Sequence, residues 1–90
     1  MLEVVSSNRF KKDLKLAIRR GYKMELLKAV VDRLAAQEPL DPKHRDHELS
    51  GDYAGFRECH VAPDWLLIYQ VDQEKLLLLL IRNGTHSDLF

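Results

Sequence analysis

Ninety residues, 46% of them apolar and 31% charged, are enough for one hydrophobic core and too few for two, and the composition is too apolar and too evenly charged for a disordered segment. The formal net charge is zero, which argues against a binder that relies on overall positive charge. However, residues 1–23 carry Arg9, Lys11, Lys12, Lys15, Arg19, Arg20 and Lys23 against only Glu3 and Asp13, so one end of the fold can face a polyanion or simply form a solvated helix surface.

Leu2 to Val5 reads as a short strand, and Ser6-Ser7 offers a hydroxyl to the free amides that open a helix. The spacing of Phe10, Leu14, Ala17 and Ile18 predicts a helix from Asn8 to Arg20, with Lys12, Lys15 and Arg19 on another face and Gly21 as its stop. Leu27, Val30, Val31 and Leu34 predict a second helix from Met24 to Ala36, ended by Pro39-Leu40-Asp41-Pro42. A polar loop with Lys43, His44, Arg45, Asp46 and His47 leads to Gly51 and Gly55.

Beyond it the pattern becomes that of strands: Phe56 to Val61, Trp65 to Val71 and Lys75 to Arg82, joined by Pro63-Asp64 and Asp72-Gln73-Glu74. The unalternating run Leu76 to Ile81 is expected to be a central strand, and Asn83-Gly84 to turn the chain into a tail carrying His86 and Phe90. The expected fold is α+β: one domain over residues 1–90, two N-terminal helices packed on a small antiparallel sheet. The apolar run is far shorter than the roughly 20 residues that span a bilayer, no basic-then-apolar leader opens the chain, and the single cysteine, Cys59, forms no internal disulfide. A cytoplasmic protein with Cys59 as buried filler is expected.

Four histidines in 90 residues focus attention on His47, His60 and His86, with Asp64 and Trp65 at the head of the strand that follows His60. A ribonuclease working without metal needs a base for the 2′-hydroxyl, an acid for the leaving 5′-oxygen, and cations or amides for the phosphorane. Histidine fills either proton-transfer role at cell pH, and exposed aromatics such as Trp65 and Phe90 stack unpaired bases, unless they are plain core residues. The same His47, His60, His86 and Asp64 are a possible zinc set, but no H-x3-5-H or C-x2-C spacing ties them together. No phosphate-binding glycine loop, nucleophile elbow or dinucleotide fingerprint is present.

The segments His47-Glu48-Leu49-Ser50-Gly51, Gly55-Phe56-Arg57-Glu58-Cys59-His60, Pro63-Asp64-Trp65-Leu66-Leu67-Ile68-Tyr69 and Arg82-x-Gly84-x-His86-Ser87-Asp88-Leu89-Phe90 resemble the YafQ-type branch of the RelE/ParE toxin superfamily. The helical hairpin before them fits as well, so the resemblance spans nearly the whole chain. It implies a RelE-like fold and a toxin that cleaves mRNA in the ribosomal A site by attack of the 2′-hydroxyl, without metal or cofactor. It also implies an antitoxin partner, expected to be a ribbon-helix-helix protein through which any DNA contact would be made.

Carried over residue by residue, the resemblance implies catalytic roles for His86 as general acid, Asp64 or His60 as base, and His47 in orientation or charge. It implies substrate contacts from Trp65 and Phe90 and, by a looser match, phosphate steadying by Arg82. The basic helix, led by Lys11, Lys12, Lys15 and Arg19, is expected to meet ribosomal RNA. Two other readings share the scaffold: a non-catalytic ParE-like gyrase inhibitor, and an inactive antitoxin-binding member. The histidines favour the enzyme.

Overall fold

The computed structural model describes residues 1–90. Strand β1 (Glu3–Ser6) leads into helix α1 (Asn8–Arg19), whose first turn is closed by Ser7: its hydroxyl accepts from the Phe10 amide at 2.9 Å and donates to the Ile81 carbonyl at 2.7 Å. Helix α2 (Met24–Ala35) follows, then β2 (His47–Glu48), β3 (Arg57–Ala62), β4 (Trp65–Asp72), β5 (Leu77–Gly84) and a one-turn helix α3 (His86–Leu89). The sheet runs β1-β5-β4-β3-β2.

The sheet is mixed, which corrects the expected antiparallel one: β3, β4 and β5 form the anticipated meander, but β1 lies parallel to β5, Val4 opposite Leu78. The helical hairpin carries the chain from one side of the sheet to the other and so permits this pairing. Alternation along the central strands divides the side chains between two layers. Cys59, Val61, Trp65, Leu67, Tyr69, Leu78 and Leu80 face the helices and meet Phe10, Ala17, Leu27, Val30 and Leu34 in the main core. Leu66, Ile68 and Leu89, with Leu49, Tyr53, Phe56 and Ile81, form a smaller cluster on the other face. At about 1.5–3 kcal/mol for each fully buried large apolar side chain, this second layer is what lets β4 bury Leu66 and Ile68 completely.

Four local expectations change. Ile18, placed on the apolar stripe of α1, is 55% exposed, because Leu14 and Ala17 already fill the face that meets the sheet. Leu76 belongs to a turn rather than to the central strand: it has φ 54° and is exposed, and the Asp72 carboxylate holds that turn by accepting from the Glu74 and Lys75 amides at 3.1 Å. Asn83-Gly84 does not turn the chain but continues β5, opposite Leu67 and Leu66. Buried Asn83 accepts from Trp65 Nε1 at 3.1 Å and donates to the Phe10 carbonyl at 3.4 Å, so a polar residue that reads as a turn former is held inside by its partners. His47 and Glu48, read as loop, pair with β3 as an edge strand.

Candidate active site

The site is built on the sheet face away from the two long helices. Alternation along β3 sends Cys59 and Val61 into the main core and Glu58 and His60 to the opposite side. His47 is registered directly across from Glu58, so their side chains share that face. The third histidine arrives from α3, where Thr85 and Asp88 form a reciprocal capping box and Leu89 anchors the turn in the smaller apolar cluster. The result is a cleft of about 610 Å³ lined by Lys43, Arg45, His47, Glu58, His60, Pro63 and His86, with no large apolar side chain among them.

A carbonyl oxygen can only accept, so a ring nitrogen that bonds to one carries a proton. His47 Nδ1 lies 2.6 Å from the Arg45 carbonyl and therefore donates to it. Its Nε2 faces Glu58 Oε1 at 3.5 Å, an arrangement that is attractive only when Nε2 also carries a proton. Glu58 is buried, and its Oε2 has no hydrogen-bond partner. His60 Nδ1 points at the Pro63 carbonyl at 3.3 Å, which leaves its Nε2 as the nitrogen with a lone pair. The His60 and His86 rings meet edge to face with centroids 5.7 Å apart.

Asp64, at the β3–β4 turn, accepts from the backbone amide of His86 at 3.1 Å and from its Nδ1 at 3.0 Å. These two hydrogen bonds hold its carboxyl below the ordinary aspartate range. A second carboxylate secures α3 from the other side: Asp88 accepts from Arg20 at 2.6 and 3.3 Å and from the Thr85 amide at 2.9 Å, and the Arg20 guanidinium pulls it far below the usual value.

The remaining expected site residues are placed differently. Trp65 is 3% exposed, packs on Tyr22 at 5.1 Å between centroids and donates to Asn83; it is a core residue at the floor of a shallow pocket shared with Tyr22 and Asp64. Arg82 does not line the histidine cleft. It is half-buried, registers opposite Ile68 of β4, and is held by Asp13 of α1 through two hydrogen bonds of 3.1 and 3.0 Å. Phe90, which follows α3, is 63% exposed and rests edge-on against Tyr53 at 5.6 Å. Lys11, Lys12, Lys15 and Arg19 are all exposed along α1. Cys59 is buried, and desolvation raises its thiol well above the ordinary range, as an inert filler requires.

Sequence reasoning missed three participants. His44 read as an ordinary loop residue, yet its Nδ1 donates to the His60 carbonyl at 2.6 Å and fastens the 3-10 turn Pro42–His44 to β3. Arg45 has left-handed backbone, φ 47° and ψ 44°, a conformation that costs a non-glycine residue on the order of 1–3 kcal/mol. Glu58 is buried in strand pattern and carries no motif of its own. Only its register opposite His47 reveals it. No three histidine, cysteine, aspartate or glutamate side chains gather closely enough to enclose a metal ion.

The chain is a small α+β domain with a polar histidine cleft set on the sheet and closed by a C-terminal helical turn. The profile of the family described as "Bacterial toxin of type II toxin-antitoxin system, YafQ" matches residues 2–90, and the chain belongs to that family. It is 39% identical over 89 residues to the mRNA interferase toxin YafQ of Escherichia coli K12, which covers 98% of this chain and 95% of that protein. Among solved structures it resembles a metal-bound toxin from Helicobacter pylori, with a TM-score of 0.95, 47% identity and full coverage of both chains. It also resembles YafQ in the E. coli DinJ–YafQ complex, with a TM-score of 0.88, 38% identity and coverage of 100% and 99%.

Proposed function

We propose that this chain is the mRNA endoribonuclease of a type II toxin–antitoxin pair and that it cuts mRNA in the ribosomal A site without metal. The observation that carries this reading is the convergence of His47, His60 and His86 in one polar cleft. In-line cleavage is balanced by these groups. The lone pair on His60 Nε2 takes the proton from the 2′-hydroxyl, the 2′-oxygen attacks phosphorus, and the bond to the 5′-oxygen breaks as His86 Nε2–H protonates it. The products are a 2′,3′-cyclic phosphate and a 5′-hydroxyl. His47, held by the Arg45 carbonyl and facing Glu58, is assigned to orientation or charge near the phosphorane.

Asp64 then serves as the orienting anion of His86 rather than as the base. A carboxylate held below its ordinary range by two donated hydrogen bonds is a poor proton acceptor near neutrality and a good stabiliser of imidazolium. The exposed Phe90 ring, four residues after His86, offers a stacking surface for a base, worth roughly 1–3 kcal/mol. Trp65 acts from the core by shaping the floor beneath Asp64. The exposed basic face of α1, with Lys11, Lys12, Lys15 and Arg19, supplies contacts to ribosomal RNA.

The E. coli relative crystallised with DinJ supports an antitoxin partner for this chain as well, and a ribbon-helix-helix antitoxin is the form we infer. No helix is long and apolar enough to cross a membrane, in keeping with action on cytoplasmic ribosomes. The test is expression of the chain alone and of its His86→Ala variant, with message integrity read by primer extension. Growth arrest with cut messages for the parent and neither for the variant is expected. Arrest that survives the substitution would overturn the assignment in favour of a binding-only toxin.

A further inference from the structure

The ribonuclease reading leaves open which cations hold the scissile phosphate. Attack at phosphorus raises the charge on the phosphoryl oxygens, so groups that bind them act more strongly in the transition state than in the bound substrate. Arg82, expected by resemblance to do this, is committed to Asp13 by a two-point ion pair and lies outside the cleft. Two other cations stand in the cleft wall beside all three histidines, Lys43 and Arg45.

We propose that Arg45 and Lys43 form the phosphate clamp of this enzyme, an assignment that rests on the ribonuclease reading. Neither side chain makes a hydrogen bond or ion pair within the protein, whereas Arg20, Arg57 and Arg82 are all engaged by carboxylates. The backbone beneath them is fixed. Asp41 caps the 3-10 turn by accepting from the Lys43 amide at 3.0 Å, His44 donates to the His60 carbonyl, and the Arg45 carbonyl receives the His47 ring. His60 is thus tied through its carbonyl to His44, and the His47 ring to the carbonyl of Arg45. The left-handed backbone at Arg45 is the bend by which the chain passes from that turn into β2.

The charge around the cleft agrees. Its only acidic lining residue is Glu58, whose Oε1 is already directed at His47, so Lys43 and Arg45 present positive charge that no protein carboxylate neutralises. An RNA phosphodiester is the anion that fits a cleft open to solvent, without apolar walls, between a proton acceptor and a proton donor. The guanidinium matches two non-bridging oxygens at once, and the ammonium acts as a point charge.

The test is single-turnover cleavage of an A-site codon on programmed ribosomes by the parent, Arg45→Gln, Arg45→Lys and Lys43→Gln. Each diastereomer of a phosphorothioate at the scissile position is run alongside the normal phosphate. Arg45→Gln is expected to lose about 10²–10³-fold in rate at an unchanged melting temperature, with partial recovery in Arg45→Lys. The rate loss caused by sulfur in one diastereomer should be largely gone in Arg45→Gln, which a merely structural role of Arg45 would not produce. Rates within about twofold of the parent and an unaltered sulfur effect would overturn the clamp while leaving the ribonuclease intact. If the parent itself does not cleave, the ribonuclease reading fails, and titration with inorganic phosphate decides the clamp separately. Saturable shifts of the His47 and His60 ring protons, lost in Arg45→Gln/Lys43→Gln, would support it; no shifts in the parent would overturn it.

Discussion

The Asp64 carboxylate holds His86 twice through one oxygen, accepting from its backbone amide at 3.1 Å and from its Nδ1 at 3.0 Å. One side chain therefore fixes both where α3 begins and how the imidazole is turned. His86→Ala is expected to lose about 10²–10⁴-fold in single-turnover rate, the span of a general acid. Asp64→Asn keeps an acceptor but removes the charge and should lose less. Because both substitutions act on one proton transfer, the double variant should be no slower than His86→Ala alone. Multiplying losses in the double variant would show that Asp64 acts independently of His86.

The proposed mechanism requires its two proton-transfer groups to be in opposite states, His60 neutral and His86 charged. Cleavage should therefore fall on both sides of an optimum. Removing His60 should flatten the acidic limb, where the base becomes protonated, and removing His86 the alkaline limb. The measurement is the pH dependence of single-turnover rate for parent and variants. Flattening of the opposite limbs would exchange the two roles.

The Arg20–Asp88 pair joins the end of α1 to α3, and Asp88 has a folded-state pKa depressed mainly by the Arg20 hydrogen bonds. A depressed carboxylate stabilises the fold fully above its unfolded value near 3.9 and loses that contribution as pH falls toward the folded value. Asp88→Asn should therefore melt below the parent at neutral pH, with the gap closing from about pH 4 downward. Melting temperature against pH for the two proteins checks this. A gap that widens on acidification would reverse the sign.

Trp65 and Phe90 should separate stability from substrate contact. Trp65→Ala empties a buried site and breaks the bond to Asn83, at a cost of about 3–5 kcal/mol in unfolding free energy. Phe90→Ala removes an exposed ring and should leave stability nearly unchanged while weakening substrate binding. Urea melts and cleavage kinetics together distinguish them. Equal destabilisation by both would remove the stacking role from Phe90.

These assignments mark where the sequence was legible. The stripe Leu27, Val30, Leu34 and the three-stranded meander follow from the sequence pattern, although its last strand, expected over Lys75 to Arg82, runs Leu77–Gly84. The parallel pairing of β1 with β5 could not be read, since a four-residue strand carries no sign of its neighbour's direction. Trp65 beside Asp64 looks like one functional pair in the sequence. Adjacent residues at a strand entrance point different ways, and the alternation that puts Leu67 and Tyr69 in the main core takes Trp65 with them. The three histidines were visible as residue types, but Glu58, Arg45 and the His44 contact depend on strand register and on one left-handed backbone position. Neither leaves a local motif.

The chemistry of the cut ends tests the central claim most directly. Mass spectrometry of fragments released from programmed ribosomes by the purified chain, stripped of metal beforehand, should find a 2′,3′-cyclic phosphate on the upstream piece and a 5′-hydroxyl on the downstream one, with no cleavage when the attacking nucleotide is 2′-deoxy. A 3′-hydroxyl and 5′-phosphate, or cutting of the deoxy substrate, would contradict an attack driven by His60 and completed by His86.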